Sequence, residues 1–139
     1  RVIFLSSMMG HISAEHYSQM TRDVILNPNV SWADLESLKA QFYEQVQDKV
    51  VDFPASTYRV SKAFVNAANR IYAREFQHDD RNLFFAAVHP GWVKTRMGGE
   101  EAPLSDEEGA DTPVFLAMNK EVVESGLYWH LRKVEPYSS

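Results

Sequence analysis

The sequence predicts an α/β fold: a parallel sheet with flanking helices. Three observations carry that prediction. The apolar runs 2–5 and 83–88 show none of the polar alternation of a half-exposed strand, so they read as strands buried on both faces. Between and after them lie stretches with helical periodicity. The resulting order (strand, helices, strand, helix, strand) is that of crossover units, which build parallel sheets.

The elements follow in order. Residues 1–6 read as a strand ending at Ser6 and Ser7. Residues 8–30 are mixed and polar, with Gly10, Asn27, Pro28 and Asn29 as breakers, and read as loop with one short helix. Ser31 is a plausible N-cap with Asp34 three residues on, a near capping box. From there Trp32, Leu35, Leu38, Phe42 and Val46 form one apolar stripe to about residue 49. Phe53 and Pro54 break it. A second helix spans 56–78, where Ala63, Ala67 and Ala68 permit close packing on a sheet. Residues 79–82 turn the chain into the strand at 83–88, which Pro90 and Gly91 end. Residues 94–104 read as loop. Ser105 with Glu108 makes a capping box for a helix to about Met118, and Pro113 inside it predicts a kink or a late start. Residues 126–131 are a third strand candidate, and the tail after them is polar.

The chain has 139 residues, enough for one domain or part of one. A net charge of −5 argues against a nucleic-acid partner, which calls for a basic stripe. At 45% hydrophobic residues it carries too many apolar side chains for a disordered chain, and no apolar run is long enough to cross a bilayer. Cys is absent, which removes disulfides and thiolate metal sites and fits a cytoplasmic location. The chain opens with Arg1 directly on a strand-like run, as if an upstream part were missing.

Three places can carry chemistry. Tyr58 and Lys62 stand four apart on a helix and share a face. A nearby cation favours the phenolate, which makes Tyr58 a better proton donor. Alone, such a pair is most often two surface neighbours. Ser6 and Ser7 stand at a strand C-terminus, where ligands bind in open α/β sheets. Ser6 reads as a cap for loose backbone groups, whereas a role for Ser7 depends on its neighbours. His89-Pro90-Gly91-Trp92-Val93-Lys94-Thr95 follows the next strand and bends there, exposing backbone groups suited to an amide.

Together, the Ser, the Tyr-x-x-x-Lys and the Pro-Gly-Trp-Val-x-Thr segment converge on one edge of the sheet. In this combination the sequence resembles the short-chain dehydrogenase/reductase family over almost its whole length, and within it the carbonyl reductases. Fifty-one positions separate Ser7 from Tyr58, and carbonyl reductases of this type carry a comparable helical insertion. The segment 105–113 also looks like their C-terminal helix start. The resemblance implies a Rossmann-like domain of which this chain is the C-terminal half, with 8–55 as a helical insertion. It implies an NADPH-dependent enzyme acting on small carbonyl compounds (aldehydes, ketones, quinones), with no membrane or nucleic-acid partner. By the family pattern Tyr58 is the general acid, and Lys62 assists it and binds the nicotinamide ribose. Ser7 donates to the carbonyl oxygen. Val93 holds the carboxamide through its backbone, with Pro90, Gly91 and Thr95 beside it.

The departures are as informative. The six glycines (Gly10, Gly91, Gly98, Gly99, Gly109, Gly126) form no turn between a strand and a helix that could hold a pyrophosphate. The alternative is therefore a non-catalytic fragment that does not bind cofactor by itself. A sugar-nucleotide epimerase shares Tyr-x-x-x-Lys, but the long insertion and the segment after the second strand speak against it. His11, His16, His78, His89 and His130 are scattered, with no close pair on a helix face, so loop and surface roles are expected and no metal site. Trp92, Met97 and Tyr128 suit either a substrate pocket or the core. Lys94 and Arg96 suit either a cofactor phosphate or solvent. The insertion helix suits either packing on its own domain or covering surfaces that relatives use to associate, and the latter favours a monomer.

Overall fold

A computed structural model describes residues 1–48 and 56–138. The expected break at Phe53 and Pro54 lies outside these residues. Four strands, β1 (Val2–Leu5), β2 (Phe85–Val88), β3 (Leu127–His130) and β4 (Lys133–Glu135), make one sheet in the order β1-β2-β3-β4. The first three are parallel, as the sequence predicts, and β4 is antiparallel to β3. That last strand corrects the reading of the tail as merely polar. The hairpin turns through Leu131 and Arg132, both left-handed (φ 47° and 58°), without the Asn or Gly that announces such a turn. Arg132 is held from outside: its N–H bonds Thr112 Oγ1 at 3.1 Å and its guanidinium pairs with Asp111.

The helices are α1 (Gln19–Ile25), α2 (Trp32–Asp48), α3 (Thr57–Glu75) and α4 (Asp106–Met118), with one 3₁₀ turn at Met8–Gly10. Strand alternation sends side chains to two faces. Phe4 and Phe85 meet Tyr72 of α3, with centroids 5.9 and 5.6 Å apart. Ile3, Ala86, Val88 and Trp129 face the other way and pack with Phe115 and Leu116 of α4. The sheet is thus sandwiched between α3 and α4. A second cluster joins Ile25, Val30, Leu35, Leu38 and Phe42 to Val60, Ala63, Ala67 and Ile71, so α1 and α2 lie against α3. Leu35, Leu38 and Phe42 are buried as the stripe predicts, but its ends, Trp32 and Val46, are exposed.

Local signals explain the boundaries. Ser31 and Asp34 exchange bonds at the start of α2, 2.9 Å from Ser31 N to Asp34 Oδ2 and 3.2 Å from Asp34 N to Ser31 Oγ. Ser56 and Ser105 cap α3 and α4. Arg70 and Arg74 of α3 donate to the carbonyls of Ile25, Leu26, Asn27, Pro28 and Val30, supplying partners that the end of α1 lacks. Helix α3 stops at Glu75, three residues before the expected end. Helix α4 starts at its cap and runs through Pro113 without a break. Buried Thr112 and Leu116 anchor it to the sheet on both sides of the bond the proline removes. Among the described residues no helix is long and apolar enough to cross a membrane.

Candidate functional site

The site is built where β1 and β2 end side by side, Leu5 beside Val88. Parallel strands release their following segments from the same edge, so residues 6–10 and 89–95 leave the sheet together. Helix α3 passes beneath the first of them.

That first segment is clamped. Ser6 is buried and its hydroxyl donates to Asn66 Oδ1 at 2.6 Å, rather than to loose backbone alone. Asn66 Nδ2 in turn donates to Gly10 O at 3.2 Å. Gly10 touches the helix so closely that a methyl group there would lie 2.9 Å from Lys62 C and O. Only glycine permits that approach. Between these anchors stands Ser7. Its hydroxyl accepts from Met9 N at 3.2 Å, which leaves its proton available for donation. Fully buried Tyr128 donates its phenol to Ser7 O at 2.9 Å.

On α3, Lys62 Nζ donates to Leu5 O at 2.8 Å, which ties the ammonium to the C-terminal end of β1. It lies 5.6 Å from the centroid of the Tyr58 ring. Tyr58 is 42% exposed, and its phenol bonds none of the described residues. The structure thus brings Lys62 beside both the Tyr58 ring and the strand end that leads to Ser7.

The second segment turns at Gly91, whose φ of +86° lies in the left-handed region. Val93 then pairs with Leu104 as in a parallel ladder, with Lys94 N on Leu104 O at 2.8 Å and Leu104 N on Trp92 O at 3.2 Å. In this pattern the N–H and C=O of Val93 itself point away from Leu104. Among the described residues nothing accepts from Val93 N, and the Thr95 hydroxyl donates to Val93 O at 3.4 Å. The Thr95 hydroxyl also accepts from Gly98 N at 3.0 Å, so it is committed to its own turn. Trp92 is exposed with its indole N–H on Gly98 O at 2.8 Å, and Met97 is exposed. Pro90 is half-buried beside them, while Lys94 and Arg96 are exposed in the loop. Tyr128 belongs to the core.

Three of the five histidines meet at this edge, although their spacing along the chain does not announce it. His89 is only 5% exposed, contrary to the expected surface role. Its ring stacks on His130 with centroids 3.8 Å apart and an interplanar angle of 14°. His11 stands edge-on at 6.5 Å. His89 Nε2 lies 3.4 Å from Glu135 Oε2, and His130 Nδ1 donates to His89 O at 3.1 Å. Burial holds His89 below the ordinary imidazole range; neighbouring His130 acts in the same sense and Glu135 opposes it. Donor atoms of His89, His130 and Glu135 all lie within 4.8 Å of one another. They are nevertheless poorly disposed for a metal ion. An imidazole binds through a lone pair in its ring plane at about 2.0–2.1 Å. Two nearly parallel, stacked rings have no common point that close in both planes.

A concave surface of about 930 Å³ lies at the opposite end of the strands, lined by Arg70, Arg74, Phe84 and Gly126 among others. The guanidiniums there are bonded to the carbonyls after α1, and ligands of open α/β sheets bind at the other, carboxyl end.

Comparisons with known proteins bear on the fold and the family. No protein-family model matches the chain. The rat (Rattus norvegicus) NADPH carbonyl reductase 1 is 33% identical over 144 aligned positions, covering 99% of this chain and 52% of the relative. The pig (Sus scrofa) carbonyl reductase 1 is 35% identical, covering 85% and 43%. Among solved structures, salutaridine reductase from Papaver somniferum superposes with a TM-score of 0.79 at 22% identity, covering 93% of this chain and 44% of that one. The D. melanogaster carbonyl reductase Sniffer superposes with a TM-score of 0.51 at 20% identity, covering 91% and 36%. The solved structures speak to the fold, and the chain spans about half the length of the curated relatives it matches. The chain is a relative of the carbonyl reductases in the short-chain dehydrogenase/reductase family and corresponds to their C-terminal part.

Proposed function

We propose that these residues form the catalytic part of an enzyme that reduces aldehydes, ketones or quinones with NADPH. The observation that carries the reading is the meeting at one sheet edge of the Lys62 ammonium beside Tyr58, the turn bearing Ser7, and the unpaired amide of Val93. The donor set suits the nicotinamide end of the cofactor. Val93 offers one free N–H to a carboxamide oxygen, its own carbonyl being taken by the Thr95 hydroxyl beside Gly98, and Pro90, Gly91 and Thr95 shape that wall. Lys62 is placed to bind ribose hydroxyls. The cofactor supplies the hydride when bound.

The protein's own residues do the rest. Ser7 donates its proton in a hydrogen bond to the carbonyl oxygen and steadies the charge that develops there. Tyr58 gives that oxygen its proton, with the Lys62 ammonium beside its ring. General acid catalysis contributes about 10²–10⁴-fold in rate. In the full-length protein, Tyr58→Phe is expected to lower kcat by that order while leaving NADPH binding in place; near-normal turnover would remove Tyr58 from the role. The preference for NADPH over NADH draws on the names of the relatives. The same reading makes 8–55 an insertion, and the protein a cytoplasmic monomer.

A second reading is that the 139 residues do not bind cofactor by themselves. It draws on the lack of a phosphate-binding turn, and on β1, an edge strand with exposed Val2 and Leu5. Titrating NADPH into the chain and following cofactor fluorescence separates the two. Saturable micromolar binding supports the first reading for this chain, and silence supports the second.

A further inference from the structure

The histidine cluster stands next to the wall assigned to the carboxamide, and no step above uses it. His89 is the hinge between β2 and the segment 90–95. Its N–H bonds Trp129 O at 3.1 Å, its carbonyl takes the His130 ring, and its own ring is held by Glu135. Three residues, two on β3 and one on β4, thus grip the residue from which Pro90, Gly91 and Val93 depart.

We propose that His89, His130 and Glu135 are positioning residues for the segment 90–95, and that they hold it in place only while the stacked imidazoles carry at most one positive charge between them. The importance of this for a carboxamide rests on the function proposed above; the positional claim does not.

The geometry carries the argument. With Nε2 toward Glu135, the other ring nitrogen of His89, Nδ1, is buried and has no partner among the described residues. A proton placed on it would have no acceptor. His130 donates from Nδ1, so Nε2 is its basic nitrogen. Two positive rings 3.8 Å apart repel, and Glu135 can offset only one charge. The ionisable groups that act on His89 are His130 on β3, Glu135 on β4 and His11 after the 3₁₀ turn; no side chain of α3 or α4 contributes a charge. The Tyr128 ring closes the remaining side at 5.5 Å. A second proton therefore must break the stack, and with it the bond from His130 to His89 O. Trp92 and Val93 follow within a few residues and report the change.

The test is an NMR titration of the isotopically labelled chain from pH 8 to 5. It reads the imidazoles of His89 and His130, the indole N–H of Trp92 and the amides of Gly91 and Val93. The Trp92 and Val93 signals are expected to move with the same midpoint as the histidine rings. Glu135→Gln removes the charge that favours a cation and should lower that midpoint by roughly half a pH unit or more. His130→Asn removes the competing charge, retains a donor for His89 O and should raise it. His130→Gln, which also keeps a donor, serves if the Asn variant does not fold. Loop signals that stay flat while the histidines titrate would overturn the proposal. So would midpoints that move in the same direction, or not at all, in the two kinds of variant. No cofactor enters the measurement, so a failure of the reductase reading appears separately as absent NADPH binding.

Discussion

Gly10→Ala probes the packing that sets the site. The added methyl group would lie 2.9 Å from Lys62 C, Lys62 O and Asn66 Nδ2. Ordinary contacts of this kind begin near 3.4 Å, so the turn must retreat from α3 by about 0.5 Å. That retreat stretches the bond from Asn66 to Gly10 O beyond its present 3.2 Å, out of good hydrogen-bond range. Overpacking costs about 1–3 kcal/mol and a weakened buried hydrogen bond about 1 kcal/mol. Part of each is relieved by the same movement, so the expected loss is roughly 2 kcal/mol. Urea denaturation followed by circular dichroism should show a lower midpoint with an unchanged slope. The shift also carries Ser7 away from Lys62, so in the full-length protein kcat should fall more than KM rises. A stability loss below about 0.5 kcal/mol with unchanged kinetics would show that the contact between Gly10 and Lys62 sets neither.

Other perturbations test other links. Ile71→Ala empties a fully buried position where α3 meets the α1 and α2 cluster, and should cost about 2–5 kcal/mol in denaturant unfolding. Tyr128→Phe removes the donor to Ser7 O and should cost about 1 kcal/mol; no loss would show that the bond is not formed in solution. Ser105→Ala dismantles the capping box of α4 and should cost about 1 kcal/mol by thermal or urea unfolding. Burial lowers the proton affinity of His89 and His11 in the fold, so below their ordinary value of about 6.5 the unfolded chain binds more protons. Stability is then full above about pH 7 and falls as pH drops through 6.5 toward 5. A urea midpoint that is flat or rising over that range would contradict the burial of these rings.

The reach of sequence reasoning followed the range of the forces involved. Strands β1 and β2 were legible because both are uninterrupted apolar runs, and α2, α3 and α4 because each begins at a serine cap followed by helical periodicity. Strand β4 was not legible, because Lys133–Glu135 is polar and its hairpin turns through Leu131 and Arg132, held from outside by Thr112 and Asp111. The late helix start that Pro113 suggested does not occur, for the same reason: anchoring to the sheet outweighs a local helix defect. Spacing puts Tyr58 and Lys62 on one helix face, but their roles and that of Val93 came only from the resemblance. The partners of Ser6 and Ser7 could not be named, because Asn66 and Tyr128 come from distant parts of the chain. His11, His89 and His130 were invisible as a group. The register of β2 and β3 sets His89 beside His130, and the turn at Met8–Gly10 delivers His11 to them.

In the proposed reductase, Val93, Ser7 and the first turns of α3 face one ligand that ends in a nicotinamide. Nicotinamide mononucleotide, which lacks the adenine half of the cofactor, is added to the ¹⁵N-labelled chain to test it. Shifts are expected on the amides of Val93 and Ser7 and on α3 around Tyr58 and Lys62. Shifts centred on Arg70 and Arg74 at the far end of the strands, or none at all at millimolar ligand, would contradict it.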